Sequence, residues 1–125
     1  MKHFIIIGAS GALLAVVLGA FGSHGLKQIL DAGALQTFEI GVRYQMYHSL
    51  ALLLLVALAP HFRSRTVTIA GWAFVAGTLL FSGSLYLLAI ADMKFLGPIT
   101  PLGGLFLMAG WMGVVAAAIQ GSGND

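Results

Sequence analysis

Residues 4–22 read FIIIGASGALLAVVLGAFG, nineteen positions without a charge and with Ser10 as the only polar side chain. A helix crosses a ~30 Å hydrocarbon layer in ~20 residues, so length and composition together make this run a membrane span. Working outward along the chain, three more such runs follow. The second, residues 37–59, is closed by Pro60; charges sit in its first half, and only Ser49 to Ala59 is continuously apolar. The third, residues 66–91, would be roughly 39 Å long as a helix, so it must tilt or project beyond the core. The fourth, residues 102–119, barely reaches spanning length. The pattern predicts an all-α membrane protein, a four-helix bundle threaded up-down-up-down, forming a single integral membrane domain over residues 1–125.

Composition agrees. Of 125 residues 59% are hydrophobic and 8% charged, against a usual charged share near ~25%. A mean hydropathy of +0.98 excludes both a soluble globular domain and a disordered one. With no cysteine there is no disulfide, Cys-ligated zinc, iron–sulfur cluster or thiol nucleophile. The net charge of +2 comes from six Lys+Arg and four Asp+Glu, too few for a nucleic-acid footprint. The connecting segments are residues 23–36, 61–65 and 92–101, and a polar tail occupies 120–125. The start, Met1-Lys2-His3 before an apolar run ending Ala20-Phe21-Gly22, also fits a secretory signal peptide. That apolar run exceeds the ~7–15 residues of a signal core, and it is expected to be a retained span. Lys2, Arg63 and Arg65 lie on the side of both termini, and Lys27 and Lys94 on the other. The basic-residue rule therefore puts the termini in the cytoplasm, in a multi-pass protein of the cell membrane.

Because the spans alternate in direction, four segments meet at one face of the bilayer. They contain Ser23-His24-Gly25, the stretch Phe38 to His48, Ser82-Gly83-Ser84-Leu85-Tyr86, and Gly97-Pro98-Ile99-Thr100-Pro101. The opposite halves hold Ile5-Ile6-Ile7, Leu52 to Leu55 and Val114 to Ala118. One half of the bundle is thus polar and the other is apolar packing. Glu39 and Arg43, spaced i, i+4, share a helix face and are close enough to pair. With Glu39 at zero, Arg43 falls near ~40°, Tyr47 near ~80°, Tyr44 near ~140°, His48 near ~180° and Gln45 near ~240°. Such a broad arc predicts that span two is the most enclosed helix at this end.

Two readings of that cluster stand. In one, Glu39–Arg43 is a structural ion pair at the interface, Tyr44 and Tyr47 anchor at headgroup depth and Arg43 snorkels outward. In the other, His24, Glu39, Arg43, Tyr44, Gln45, Tyr47, His48, Ser82, Ser84, Tyr86 and Thr100 form a ligand-binding polar pocket for an anionic or amphipathic molecule, since ionisable groups in a membrane mark function. A two-histidine, one-carboxylate metal site from His24, His48 and Glu39 lacks HExxH-type spacing, and no metal is expected. Ser82 and Ser84 lack a GxSxG elbow, an SxxK motif and a nameable base, so no catalytic residue is assigned. His24, beside two glycines, is expected to cap or hydrogen-bond locally.

The 17 glycines suit close helix contacts, with small residues four apart at Gly8/Ala12, Ala15/Gly19 and Ala73/Gly77. Pro98 and Pro101 predict an extended approach into span four, Pro101 in its first turn. Leu26, Ile29, Leu30 and Leu35 suit a short amphipathic surface helix between Lys27 and Gln36, interrupted at Gly33, that would cover the polar end.

Four stretches, Gly19-Ala20-Phe21-Gly22-Ser23-His24-Gly25-Leu26, Gly41 to His48, Phe81-Ser82-Gly83-Ser84-Leu85-Tyr86-Leu87 and Leu96 to Gly104, give the chain a further reading. Through them it resembles the bacterial inner-membrane family called domain-of-unknown-function 423 (the UPF0382 proteins), related to eukaryotic transmembrane protein 256. Ser23 and Ser49 stand where alanine is common in that family. The resemblance touches all four spans and implies a small multi-pass protein of the cytoplasmic membrane; it carries no activity to transfer.

The function expected from these features is that of a non-enzymatic binding or assembly protein. Its polar end would engage a lipid headgroup, an amphipathic ligand or a partner helix. The partners expected are membrane lipids, with a membrane-protein partner or a homo-oligomer as candidates, and neither nucleic acid nor a cofactor. The alternatives are a small oligomeric transporter or channel, for which Leu52 to Leu55 offer no continuing polar path, and an interfacial enzyme using His48 or Glu39 as acid or base.

Overall fold

The computed structural model describes residues 1–121, and the polar tail beyond Gly121 lies outside the described residues. Four helices, α1 (Lys2–His24), α2 (Ala32–Leu58), α3 (Ser64–Ala91) and α4 (Ile99–Gln120), are joined by links that each contain one 3₁₀ turn. Each is long and apolar enough to cross a bilayer. They run up-down-up-down. The start of α1, the end of α4 and the α2–α3 link share one side, the terminal face, where Thr66 donates to Gln120 Oε1 at 2.6 Å. The α1–α2 and α3–α4 links share the other, the loop face.

Helix ends follow capping chemistry more than hydropathy. α2 begins five residues before the apolar run suggested, because Asp31 is an extended N-cap whose carboxylate accepts the Ala34 N–H at 2.7 Å. Helix then runs through Gly33, and Thr37 returns its hydroxyl to the Gly33 carbonyl. The expected amphipathic cover is thereby replaced by a single 3₁₀ turn, Leu26–Gln28, and the first turns of α2. Leu26 is buried with Phe38 and Ala89, and Leu30 and Leu35 pack on them, so the segment is a tucked corner. His24 is the last residue of α1 and not part of a loop. α3 stops at Asp92, whose left-handed backbone (φ 53°) turns the chain; a short polar side chain tolerates that conformation. Pro98 is the right-handed N-cap of α4, not an extended approach, and Pro101 occupies the first turn, where no N–H is needed.

Within lipid the hydrophobic effect does not drive helices together, so proximity depends on packing over small residues. Three fully buried phenylalanines each meet a glycine: Phe4 on Gly71, Phe38 on Gly22 and Phe74 on Gly110. Gly103 lies against the α3 backbone itself, where a Cβ would collide with the Phe81 amide. The terminal half of the core is Phe4, Leu52, Leu55, Val67, Phe74 and Leu107. Large apolar side chains such as Ile6, Leu13, Leu79, Met112 and Ile119 point outward, as a bilayer solvent permits. α2 is the most enclosed of the four helices.

Candidate functional site

The polar side chains of α2 divide by azimuth. Gln45, His48 and Ser49 face inward and are buried, whereas Glu39, Arg43, Tyr44 and Tyr47 are exposed. Gln45 links three helices: its Nε2 donates to the Gly11 carbonyl of α1 at 2.8 Å, and its Oε1 accepts from the Tyr86 hydroxyl of α3 at 2.6 Å. Helical side chains lean toward their own N-terminus, so Tyr86 reaches down to mid-depth to meet it. Gly11 leaves its carbonyl reachable; a Cβ there would run into the Ser49 hydroxyl. A second rung follows, Ser82 Oγ donating to the Gly41 carbonyl at 2.7 Å.

α4 is held from the other side. Trp111 Nε1 donates to His48 Nε2 at 3.0 Å. Indole N–H is donor only, so Nε2 accepts, Nδ1 carries the proton, and Nδ1 donates to the Tyr44 carbonyl at 2.8 Å. Both imidazole nitrogens are therefore occupied, and neither offers a lone pair to a metal. Ser84 donates to the Phe81 carbonyl and shares a 2.5 Å hydrogen bond with Thr100, fastening α3 to α4. Among the described residues every buried side-chain nitrogen or oxygen has a partner, and no group of three His, Cys, Asp or Glu gathers as metal ligands.

The exposed set lies elsewhere. Glu39 and Arg43 stand on a groove of about 380 Å³ between α1 and α2, whose α1 wall is Gly19, Gly22 and Ser23. Tyr44 and Tyr47 line a second groove of about 520 Å³ with Phe81, Met108 and Trp111 on the α4 side. His24 is exposed at the C-terminus of α1, where a basic group suits the helix dipole. The eleven candidate residues thus fall into an inner brace (Gln45, His48, Ser82, Ser84, Tyr86, Thr100) and an outer lip (His24, Glu39, Arg43, Tyr44, Tyr47).

A cavity larger than either groove lies between α1 and α3. These helices meet at the terminal face, where Phe4 sits on Gly71 and His3 stacks on Trp72 with ring centroids 5.6 Å apart. Beyond that contact a crevice of about 590 Å³, open to the bilayer, lies between them. Its walls are mainly apolar, with Ile7, Leu14 and Leu18 opposite Val75 and Leu79 and single hydroxyls at Ser10 and Thr78, and its floor is Gln45, Ser49 and Leu52 with Ser82 and Tyr86 at one edge. From Ile6 to Leu18 it extends roughly 18 Å, more than half of a ~30 Å core. Gly83 lines it, and a Cβ there would meet nothing within 4 Å. Toward the terminal face the buried core is wholly apolar, so the polar floor does not continue as a path through the bundle.

Sequence reasoning did not single out Gly11, Trp111 or Gly83. Trp111, the one indole in span four, was the available cue for a partner to His48; an acceptor carbonyl at Gly11 leaves no mark in sequence.

Comparison with known proteins adds the following. The family described as "Protein of unknown function (DUF423)" matches residues 18–104. The chain is 49% identical over 121 residues to the UPF0382 membrane protein YwdK of Bacillus subtilis (strain 168), covering 96% of this chain and 98% of that one. It is 44% identical over 123 residues to a UPF0382 membrane protein of Staphylococcus epidermidis, covering 98% of this chain and all of that one. A Staphylococcus aureus (strain bovine RF122 / ET3-1) relative, UPF0382 membrane protein SAB0533, matches at the same identity and coverage. No solved structure matches the chain.

Proposed function

The chain belongs to the DUF423 family of membrane proteins, and we propose that it is a non-enzymatic binding protein that holds the apolar chain of a bilayer amphiphile in the crevice between α1 and α3. The observation that carries this reading is the crevice itself: mainly apolar walls along roughly 18 Å of membrane depth, an end stopped by Phe4 on Gly71, and a floor bearing Gln45, Ser49 and Ser82. In this reading Gln45, Ser82 and Tyr86 shape the ligand side and His48, Ser84 and Thr100 brace α4 behind it, while Glu39, Arg43, Tyr44, Tyr47 and His24 lie outside the crevice. The fully satisfied brace supports binding over catalysis, since a general acid or base needs a free position facing its substrate. The apolar terminal half argues against a conduit.

The same reading places the protein in the cell membrane with both termini cytoplasmic, on the Lys2, Arg63 and Arg65 side. A C-terminal reporter active only outside the cytoplasm reverses that orientation if it lights up.

The crevice is tested by Gly83→Leu, which fills space without meeting protein atoms. Protein purified in mild detergent and analysed by native mass spectrometry should carry lipid, and the variant should retain about fivefold less while melting at or above the wild-type temperature. Equal lipid on both proteins, or a peptide adduct in place of lipid, refutes it.

A further inference from the structure

The geometry points to a second site across α1 from the crevice: the groove between α1 and α2 binds a zwitterionic phospholipid headgroup, with Arg43 on the phosphate and Glu39 on a primary ammonium. In a hydrocarbon solvent charged side chains turn to the interior, to water or to a partner. Here Glu39 and Arg43 are both exposed, on the outer face of α2, and among the described residues no helix covers them. They border a concavity of about 380 Å³, and the opposite wall is made small by Gly19, Gly22 and Ser23. A concave site with two opposite charges at its edge suits a compact dipolar group.

Depth and order narrow the choice. Counting back from Leu58, where Pro60 follows, Arg43 lies roughly 22 Å and Glu39 roughly 28 Å along the helix. In a core of ~30 Å this places Glu39 at the boundary and Arg43 one turn inside it, within reach of the phosphate layer by snorkelling. A phospholipid presents its charges in the same sequence: the phosphate is bonded to the glycerol, and the amine is two carbons farther out. Arg43, the deeper residue, offers a planar donor fork that suits phosphate oxygens, and Glu39, the outer one, offers acceptors for ammonium N–H groups. A second copy of the chain fits less well. About a two-fold axis along the membrane normal, equal residues face each other at equal depth, setting Glu39 against Glu39 and Arg43 against Arg43.

The ordering supplies the test. The double variant E39R/R43E keeps net charge, composition and i, i+4 spacing but inverts the order of charges along the membrane normal. Purified wild-type and variant proteins in detergent are titrated with short-chain phosphatidylethanolamine, phosphatidylcholine and phosphatidylglycerol, and with soluble phosphoethanolamine, following adducts by native mass spectrometry and folding by thermal melts. The wild type should prefer phosphatidylethanolamine over the other two lipids by about tenfold, the worth of one charge-assisted contact, and over soluble phosphoethanolamine. The swapped variant should lose that preference at an unchanged melting temperature. Glu39→Gln alone should bind phosphatidylethanolamine and phosphatidylcholine equally, and Gly83→Leu should keep the headgroup preference, which separates this site from the crevice. Undiminished preference in the swapped variant overturns the proposal in favour of a structural ion pair. Equal binding of phosphatidylglycerol by the wild type, tighter binding of free phosphoethanolamine, or a dimer that dissociates on the swap with no lipid selectivity overturns it as well.

Discussion

The two halves of the bundle are held by different physics. Toward the terminal face the helices meet through aromatic and aliphatic knobs seated on glycine: Phe4 on Gly71, Phe74 on Gly110, Leu107 on Gly77. From mid-depth toward the loop face glycine seats continue, Phe38 on Gly22 and Gly103 on the α3 backbone, and side-chain hydrogen bonds are added to them: Gln45 to Gly11 and Tyr86, Ser82 to Gly41, His48 to Trp111, Ser84 to Thr100. Packing over glycine fixes how near two helices come, whereas a hydrogen bond between named atoms fixes their rotation and register. Where near approach is needed this chain uses size, and beside the crevice between α1 and α3 it uses direction.

That contrast implies a ranking of costs. The heaviest should fall on Gly103→Val, which drives a branched side chain into the α3 backbone at Phe81; overpacking of this kind should cost about 3 kcal/mol in equilibrium unfolding by SDS titration in mixed micelles. Phe4→Ala should come next, at about 2 kcal/mol, because it empties the seat over Gly71 while its transfer term is muted in an apolar solvent. The hydrogen bonds should yield less. Gln45→Leu and Tyr86→Phe, taken as a double-mutant cycle, should each cost about 1 kcal/mol and show a coupling energy of about 0.6 to 1.7 kcal/mol, the range of side-chain hydrogen bonds inside membranes. Additive effects would mean the 2.6 Å contact carries no energy of its own. Smallest of all, Trp111→Phe should cost about 0.6 kcal/mol, yet ¹⁵N resonances of His48 should show Nε2 released from its indole donor. If the polar variants outweigh Phe4→Ala, the contrast is inverted.

Much of the architecture was legible because bilayer thickness sets a length that apolar runs either meet or miss. Four runs gave four helices, with alternation following from short links. The boundaries were less so. Gly33 and Gln36 read as connecting segment, yet a single carboxylate at Asp31 starts α2 ahead of them. The candidate cluster was legible in membrane depth and not in azimuth. In water, apolar periodicity reveals which face is inward; in lipid both faces are apolar, so nothing in the spacing of Glu39, Arg43, Gln45 and His48 told that the first two would look outward and the last two inward. Contacts between a side chain and a helix carbonyl, such as Gln45 with Gly11, are invisible for a further reason, since every residue has a carbonyl.

The position of Phe4 near the start of the chain has a consequence for processing. Proteolytic trimming after Gly22, at the small residues that end the first apolar run, would remove the ring that occupies the seat on Gly71, the carbonyl that accepts from Gln45 and one whole wall of the crevice. The excised product would be left with an orphaned amide at mid-membrane and a hollow beside α3. The opening segment therefore acts as a full structural partner of the other three helices, and its loss would be read out as unfolding of the assembly.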